Sequence, residues 1–229
     1  MNNKKIRAKS ILKIRLWSIR NENLRNNLEL NVKKTKEMII DFRQTPPDII
    51  SLVINNSEVE IVDTFKFLGI LISSDLKWEK NVDCLVKKGQ QRLYFLRRLR
   101  SFRVSQELLV KFYRAVIESV LTLSFTVWYG STTEEDRKRL NRVVNTSSKI
   151  VGCELPSLDE LYRSRVIKKA NSIIGDEFHP AHDLFHLLPH DKRYRSLKSS
   201  INRSLNQFYP TAVRTLNEEL DNWCTNVCF

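Results

Sequence analysis

Val82-Asp83-Cys84-Leu85-Val86-Lys87-Lys88-Gly89-Gln90-Gln91-Arg92-Leu93-Tyr94-Phe95-Leu96-Arg97-Arg98-Leu99-Arg100 repeats its apolar side chains every three or four residues. That spacing puts Val82, Leu85, Val86, Leu93, Leu96 and Leu99 on one face of an α-helix. Lys80, Lys87, Gln91, Tyr94 and Arg98 fall on the opposite face. Asp75 is placed to cap such a helix, with its start near Leu76. Between Cys84 and Gln106 there is no acid, while seven Lys or Arg occur: Lys87, Lys88, Arg92, Arg97, Arg98, Arg100 and Arg103.

Downstream the chain keeps a helical period. Ser105 opens a second helix with Leu108, Leu109, Phe112, Val116, Ile117 and Val120 inward. Thr133-x-x-Asp136 is a variant capping box and Ser157-x-x-Glu160 a full one. They start helices through Leu140, Val143, Val144 and Ile150, and through Leu161, Val166, Ala170 and Ile173. Glu134, Glu135 and Asp136 suit the positive end of a helix dipole.

Upstream the period changes to that of strands. Met38 to Phe42 reads as a short strand, and Pro46-Pro47 breaks the chain. Ile49–Ile54, Asn55-Asn56 and Val59–Val62 read as a hairpin, because Asn tolerates positive φ. Glu58, Glu60 and Asp63 fall on it as solvated acids. Phe65 to Ile72 reads as one β-prone strand, buried on both faces near its end. Residues 1–25 hold eight basic residues and one acid, with apolar residues spaced loosely as in an amphipathic helix. The fold class is therefore α+β. A basic amphipathic helix (1–26) precedes a short mixed or antiparallel β segment (27–75). A helical bundle (76–175) and an irregular basic tail (176–229) follow.

Composition limits the function. The 229 residues are 41% hydrophobic and 28% charged, which excludes a disordered chain. No run approaches the roughly 18–20 apolar residues of a spanning helix, so no membrane partner is expected. The glycines at 69, 89, 130, 152 and 175 are too scattered for a phosphate loop or a dinucleotide fingerprint. The N-terminal residues lack the apolar core of a signal peptide. With four cysteines and only Cys224 and Cys228 close together, reduced thiols and a cytoplasmic or nuclear protein are expected. The net charge of +13 points to a polyanionic partner.

Catalytic chemistry is hard to find. His182, His186 and His190 are four apart, but Pro189 interrupts the helix that would align them as metal ligands. No nucleophile elbow and no H-x-D occur, so neither a cofactor nor a metal site is expected. The positive stretch is the functional signal. Lys87, Lys88, Arg92, Arg97 and Arg98 can meet phosphates, and Tyr94 and Phe95 among them can stack on unpaired bases.

Several segments together resemble the reverse transcriptases of non-LTR (LINE-type) retrotransposons. Leu30 to Phe42 resembles the segment after their catalytic aspartates, and Phe65 to Ile70 their primer grip. Gln90 to Arg100 is similar to their first thumb helix. The series continues through His179-Pro180, Leu187-Leu188-Pro189, Arg193-Tyr194-Arg195 and Pro210 to Arg214, over about residues 28–220. The resemblance implies a palm end joined to a thumb-like bundle, holding RNA or an RNA–DNA hybrid. It implies nucleic-acid contacts by Lys34 and Thr35, and by Phe67, Leu68 and Gly69, with Gly69 letting the backbone approach a primer. An upstream palm and fingers fragment is implied as a partner. The family's Y-A-D-D-type turn is missing from this sequence, so no polymerase activity is expected of it alone.

The segment from about Asn27 to Phe67 also resembles the N-terminal domain of the eighth AlkB homologue, a tRNA-modifying protein. In that family an oxygenase uses iron and 2-oxoglutarate, and a separate domain transfers methyl groups. The sequence thus supports a nucleic-acid-binding reverse-transcriptase fragment first. An AlkB-homologue-eight-type domain of tRNA modification or alkylation repair is the alternative, beside a retroelement remnant without a selected role.

Overall fold

A computed structural model describes residues 12–13, 34–41, 51–54, 56–189, 193–198 and 202–227. The chain is α+β and divides into two compact units, Met1–Asn81 and Val82–Phe229.

The first unit is built from two- and four-residue strands. β1 (Leu12–Lys13) pairs antiparallel with β3 (Ile39–Ile40). The backbone at 12–13 is thus extended, not helical as the loose periodicity suggests. A cross-strand partner overrides a weak local preference. The rest of the expected helix 1–26 lies outside the described residues. β2 (Lys36–Glu37) pairs in parallel with β6 (Glu60–Ile61), and a Lys36–Glu60 ion pair crosses that ladder. β4 (Val53–Ile54) and β5 (Ser57–Glu58) form a hairpin about the expected turn, with Asn56 at φ +57°, but the return strand is Ser57–Glu58, and Glu60–Ile61 of the expected return arm pairs with β2 instead. Met38, Ile40 and Val59 are buried here.

The stretch Phe65–Ile72 is not one strand. β7 (Thr64–Phe67) and β8 (Ile70–Ser73) fold back on each other, with Phe67 opposite Ile70. Leu68 at φ +47° and Gly69 at φ +90° make the turn, and two consecutive positive φ values match the twist of a tight hairpin. The apolar run is therefore not buried on both faces: Leu68 is 79% exposed and Phe67 46%. Asp75 does not cap a helix at Leu76 either. Leu76 has φ +52°, which an α-helix does not admit. Asp75 instead takes bonds from the Ser73 hydroxyl (2.6 Å) and the Lys77 amide (3.0 Å). These bonds, Ser73 first, hold its carboxyl below the usual range.

α1 (Glu79–Ser101), which belongs to the second unit from Val82 on, buries Val82, Leu85, Leu93 and Leu96, while Lys80, Lys87, Gln91, Tyr94 and Arg98 face solvent. α2 (Gln106–Phe112) runs into a π-helix (Tyr113–Glu118) and then α3 (Ser119–Leu121). Leu109, Tyr113, Ile117 and Leu121 are its buried side chains. They recur every four residues, and the wider π turn keeps such a series in line where a 3.6-residue turn lets it drift. Leu108, expected inward, is exposed, because its neighbour Leu109 takes the core position in α2.

α4 (Phe125–Trp128) leads to α5 (Glu134–Val151) and α6 (Leu158–Ile174). Thr133 caps α5 by accepting from the Asp136 amide, and Ser157 with Glu160 closes a full capping box on α6. Phe125, Trp128, Tyr129 and Tyr162 pack ring on ring between α4 and α6. The tail is not irregular throughout. Beyond the short α7 (Asn202–Leu205), it holds α8 (Phe208–Val227), which packs on α6 through an Arg163–Glu218 ion pair. Pro210 sits in the first turn of α8, where a missing N–H costs nothing. Ala212, Val213 and Leu216 turn inward.

α1 and α5 touch at Gly89. A Cβ there would lie 3.0 Å from Val143 Cγ1 and 3.4 Å from Leu121 Cδ2. Gly89→Val is therefore expected to cost about 1–3 kcal/mol by overpacking. A urea melt of the full chain measures it, and an unchanged midpoint would mean that the helices do not meet there.

Burial pushes the phenols of Tyr113, Tyr129 and Tyr162 above their ordinary value. Their folded pKa exceeds the unfolded value of about 10, so the stabilisation is complete below that pH. It declines at higher pH as the unfolded phenols ionise. The Tyr113 hydroxyl has no hydrogen-bond partner among the described residues. Tyr113→Phe is expected to match or exceed the parent in stability by about 1 kcal/mol. It should also lessen the alkaline loss, as read from urea midpoints on either side of pH ~10. A lower midpoint at neutral pH would contradict this.

Candidate nucleic-acid interface

Three pairings set the geometry of α1 and α5. Arg139 is ion-paired with Asp83, Gly89 meets Val143, and an Arg100 guanidinium nitrogen lies 3.8 Å from the Cβ position of Gly152. The pairing advances in the same sense along both helices, so they run parallel. Without a side chain at Gly89 the helices come close, and the cations on either side of the seam stand over a shared groove.

That groove has a volume of about 930 Å³. Lys87 and Arg97 line it from α1, and Arg139, Arg142 and Lys149 from α5. Asp83 is its single acid and is engaged by Arg139. Arg139 also bonds Asp136 at 3.1 Å, and these two carboxylates, Asp83 first, raise its already high pKa. Lys87, Arg97, Arg142 and Lys149 make no ion pair among the described residues. Four unneutralised cations thus share one concave surface. Arg97 and Lys149 stand near the C-terminal ends of their helices, where positive charge is favoured by the dipole.

The end of α5 is fixed from α2. Gln106 Nε2 donates to the Gly152 carbonyl (2.8 Å) and to that of Val151 (3.3 Å). Gly152 itself has φ +81°, the left-handed stop of a helix. At the other end Asp136 is buried and accepts from the Thr133 hydroxyl at 2.9 Å. Bonds at both ends therefore hold the row Arg139, Arg142, Lys149 in register.

The residues expected from sequence separate into groups. Lys34, Thr35, Phe67, Leu68 and Gly69 belong to the first unit and the other six to the second. Gly69 serves a hairpin turn, so its lack of a side chain is accounted for without a primer strand. Of the second group, Lys87 and Arg97 line the groove. Tyr94 is exposed beside it, and Lys88 is half-buried. Arg98 lies over the Phe102 ring, 4.9 Å from its centroid. Arg92 is engaged inside the protein, donating to the Val116 carbonyl of the π-helix. Arg139, Arg142 and Lys149 escaped the sequence reading, although their spacing of three and seven residues already lays them on one helical face.

The iron that an AlkB resemblance implies needs several His, Asp, Glu or Cys side chains converging on one point. Among the described residues no three such side chains converge. His182 lies in a 3₁₀ turn (His182–Leu184) that ends before His186, so no helix aligns them, and His190 lies outside the described residues. Among the described residues no helix is long and apolar enough to cross a membrane.

Residues 78–119 match the family described as alkylated DNA repair protein alkB homolog 8, N-terminal. The match spans α1, α2 and the π-helix. It falls C-terminal to the 27–67 segment on which the sequence resemblance was placed. No curated protein matches the chain, nor does any solved structure. None of these comparisons supports the reverse-transcriptase resemblance.

Arg92 and Arg98 carry the same charge on the same helix but differ in engagement. Arg92→Ala is expected to cost about 1.5–3 kcal/mol, the range for a hydrogen bond to a charged group. Arg98→Ala, which removes an exposed cation–π contact, is expected to cost about 0.5–1 kcal/mol. Urea melts of the two variants compare them, and equal costs would contradict the internal bond of Arg92.

Proposed function

We propose that the chain is a nucleic-acid-binding module of the AlkB homologue 8 N-terminal type. It holds the sugar–phosphate backbone of a nucleic acid in the α1–α5 groove. Modification of the bound nucleic acid, in alkylation repair or on tRNA, is the work of an oxygenase or methyltransferase domain apart from this groove. One observation carries the reading: the matched residues include α1, the helix that forms a wall of the cationic groove.

The physics favours phosphate. Each Lys or Arg that neutralises a phosphate releases condensed counterions, and this supplies most of non-specific affinity. A concave site with four cations and one engaged acid concentrates that effect better than the same charges spread over a convex helix.

The test is a pair of opposite charge changes in the full chain. Lys87→Glu with Arg142→Glu is expected to weaken binding to a labelled RNA on the order of tenfold or more at fixed salt. Asp83→Asn, which removes the groove's single acid and leaves Arg139 only Asp136 as a partner, is expected to tighten it. Fluorescence anisotropy reads the affinities and circular dichroism checks the fold. Equal affinities for the parent and both variants would contradict the groove as the binding surface.

A further inference from the structure

The aromatic pair beside the groove lies outside the buried core. Tyr94 is 63% and Phe95 56% exposed, though they are neighbours on a helix that buries four other apolar side chains. Their rings stand edge to face, with centroids 5.5 Å apart and planes at 77°. The Tyr94 hydroxyl has no hydrogen-bond partner among the described residues. Exposing two adjacent rings to water is unfavourable, and neither takes part in the core.

Their position relates them to the cations. Tyr94 follows Lys87 by seven residues, which is about two turns, so the two project in nearly the same direction. It also lies within one turn of Gln90 and Arg97, both in the groove lining. Tyr94 therefore stands on the groove's rim. Phe95, one residue further round the helix, braces it from the side away from the groove.

We propose that the site takes single-stranded nucleic acid, with the backbone in the groove and a base stacked on Tyr94. The proposal rests on the groove's being a nucleic-acid interface and adds which form of nucleic acid it selects. Packed helices have axes about 8–10 Å apart, so the cleft above their seam admits one backbone and not two. In a duplex both faces of each base are covered by its neighbours, whereas an unpaired strand offers a face to a protein ring. On α1 the Tyr94 ring lies within one turn of Arg97 and two turns from Lys87, so ring and cations share one face.

The experiment compares three ligands of one length with the full chain: a single-stranded RNA, the corresponding duplex, and an abasic strand that keeps the phosphates but lacks bases. Fluorescence anisotropy at fixed salt reads each affinity. The single strand is expected to bind more tightly than either of the others. Tyr94→Ala is expected to weaken the single strand about 5- to 150-fold, the range for losing one stacked base, and to leave the abasic strand unchanged. Tyr94 is exposed, so the variant should keep the parent's urea midpoint. If all three ligands bind equally and Tyr94→Ala changes nothing, stacking is refuted while the groove stands. If none of them binds, the groove reading fails and this proposal with it.

Discussion

The contact between Gly89 and Val143 governs the second unit's surface. A Cβ at Gly89 would lie 3.0 Å from the Val143 methyl, so any side chain there obliges Val143 to give way where α1 meets α5. Val82, Leu85, Leu93 and Leu96 are buried along α1, with Leu93 in the groove lining. The approach draws Lys87 and Arg97 toward Arg142 and Lys149 across a groove of about 930 Å³. Such a concentration of like charge opposes folding through self-repulsion. The apolar face of α1 and the fixed ends of α5 offset that cost, and a bound polyanion would remove it.

The supporting interactions hold the cations in place rather than neutralise them. Thr133 and Asp136 secure the start of α5, and Gln106 closes its end against the Val151 and Gly152 carbonyls. Asp83 and Asp136 both occupy Arg139, which leaves the other groove cations to solvent. Arg92 points into the protein and bonds the π-helix. The same helix thus carries one arginine that stabilises the fold and others that do not. Residue type alone does not distinguish them; the face they occupy does.

What the sequence revealed follows from how local each determinant is. The two faces of α1 were legible, because a long amphipathic helix declares its period. So were both capping boxes and the Asn55-Asn56 turn, each set by a few adjacent residues. The Leu68-Gly69 turn was hidden, because Leu rarely takes positive φ and so disguises a hairpin as one strand. Leu109 rather than Leu108 turns inward in α2, and local sequence does not distinguish two adjacent leucines. α8 falls in the tail expected to be irregular, and Pro210 is compatible with it only because the helix begins at Phe208. The second wall of the groove was the larger omission. Nothing local to α5 states which helix it packs on, since that is set by the contact of Val143 with Gly89, 54 residues away in the chain.

The dependence of affinity on salt tests the groove most directly. If Lys87, Arg97, Arg142 and Lys149 each engage a phosphate of a single strand, log K should fall against log salt with a slope of roughly −3. A slope near zero between about 50 and 200 mM salt would show that backbone phosphates are not what this surface holds.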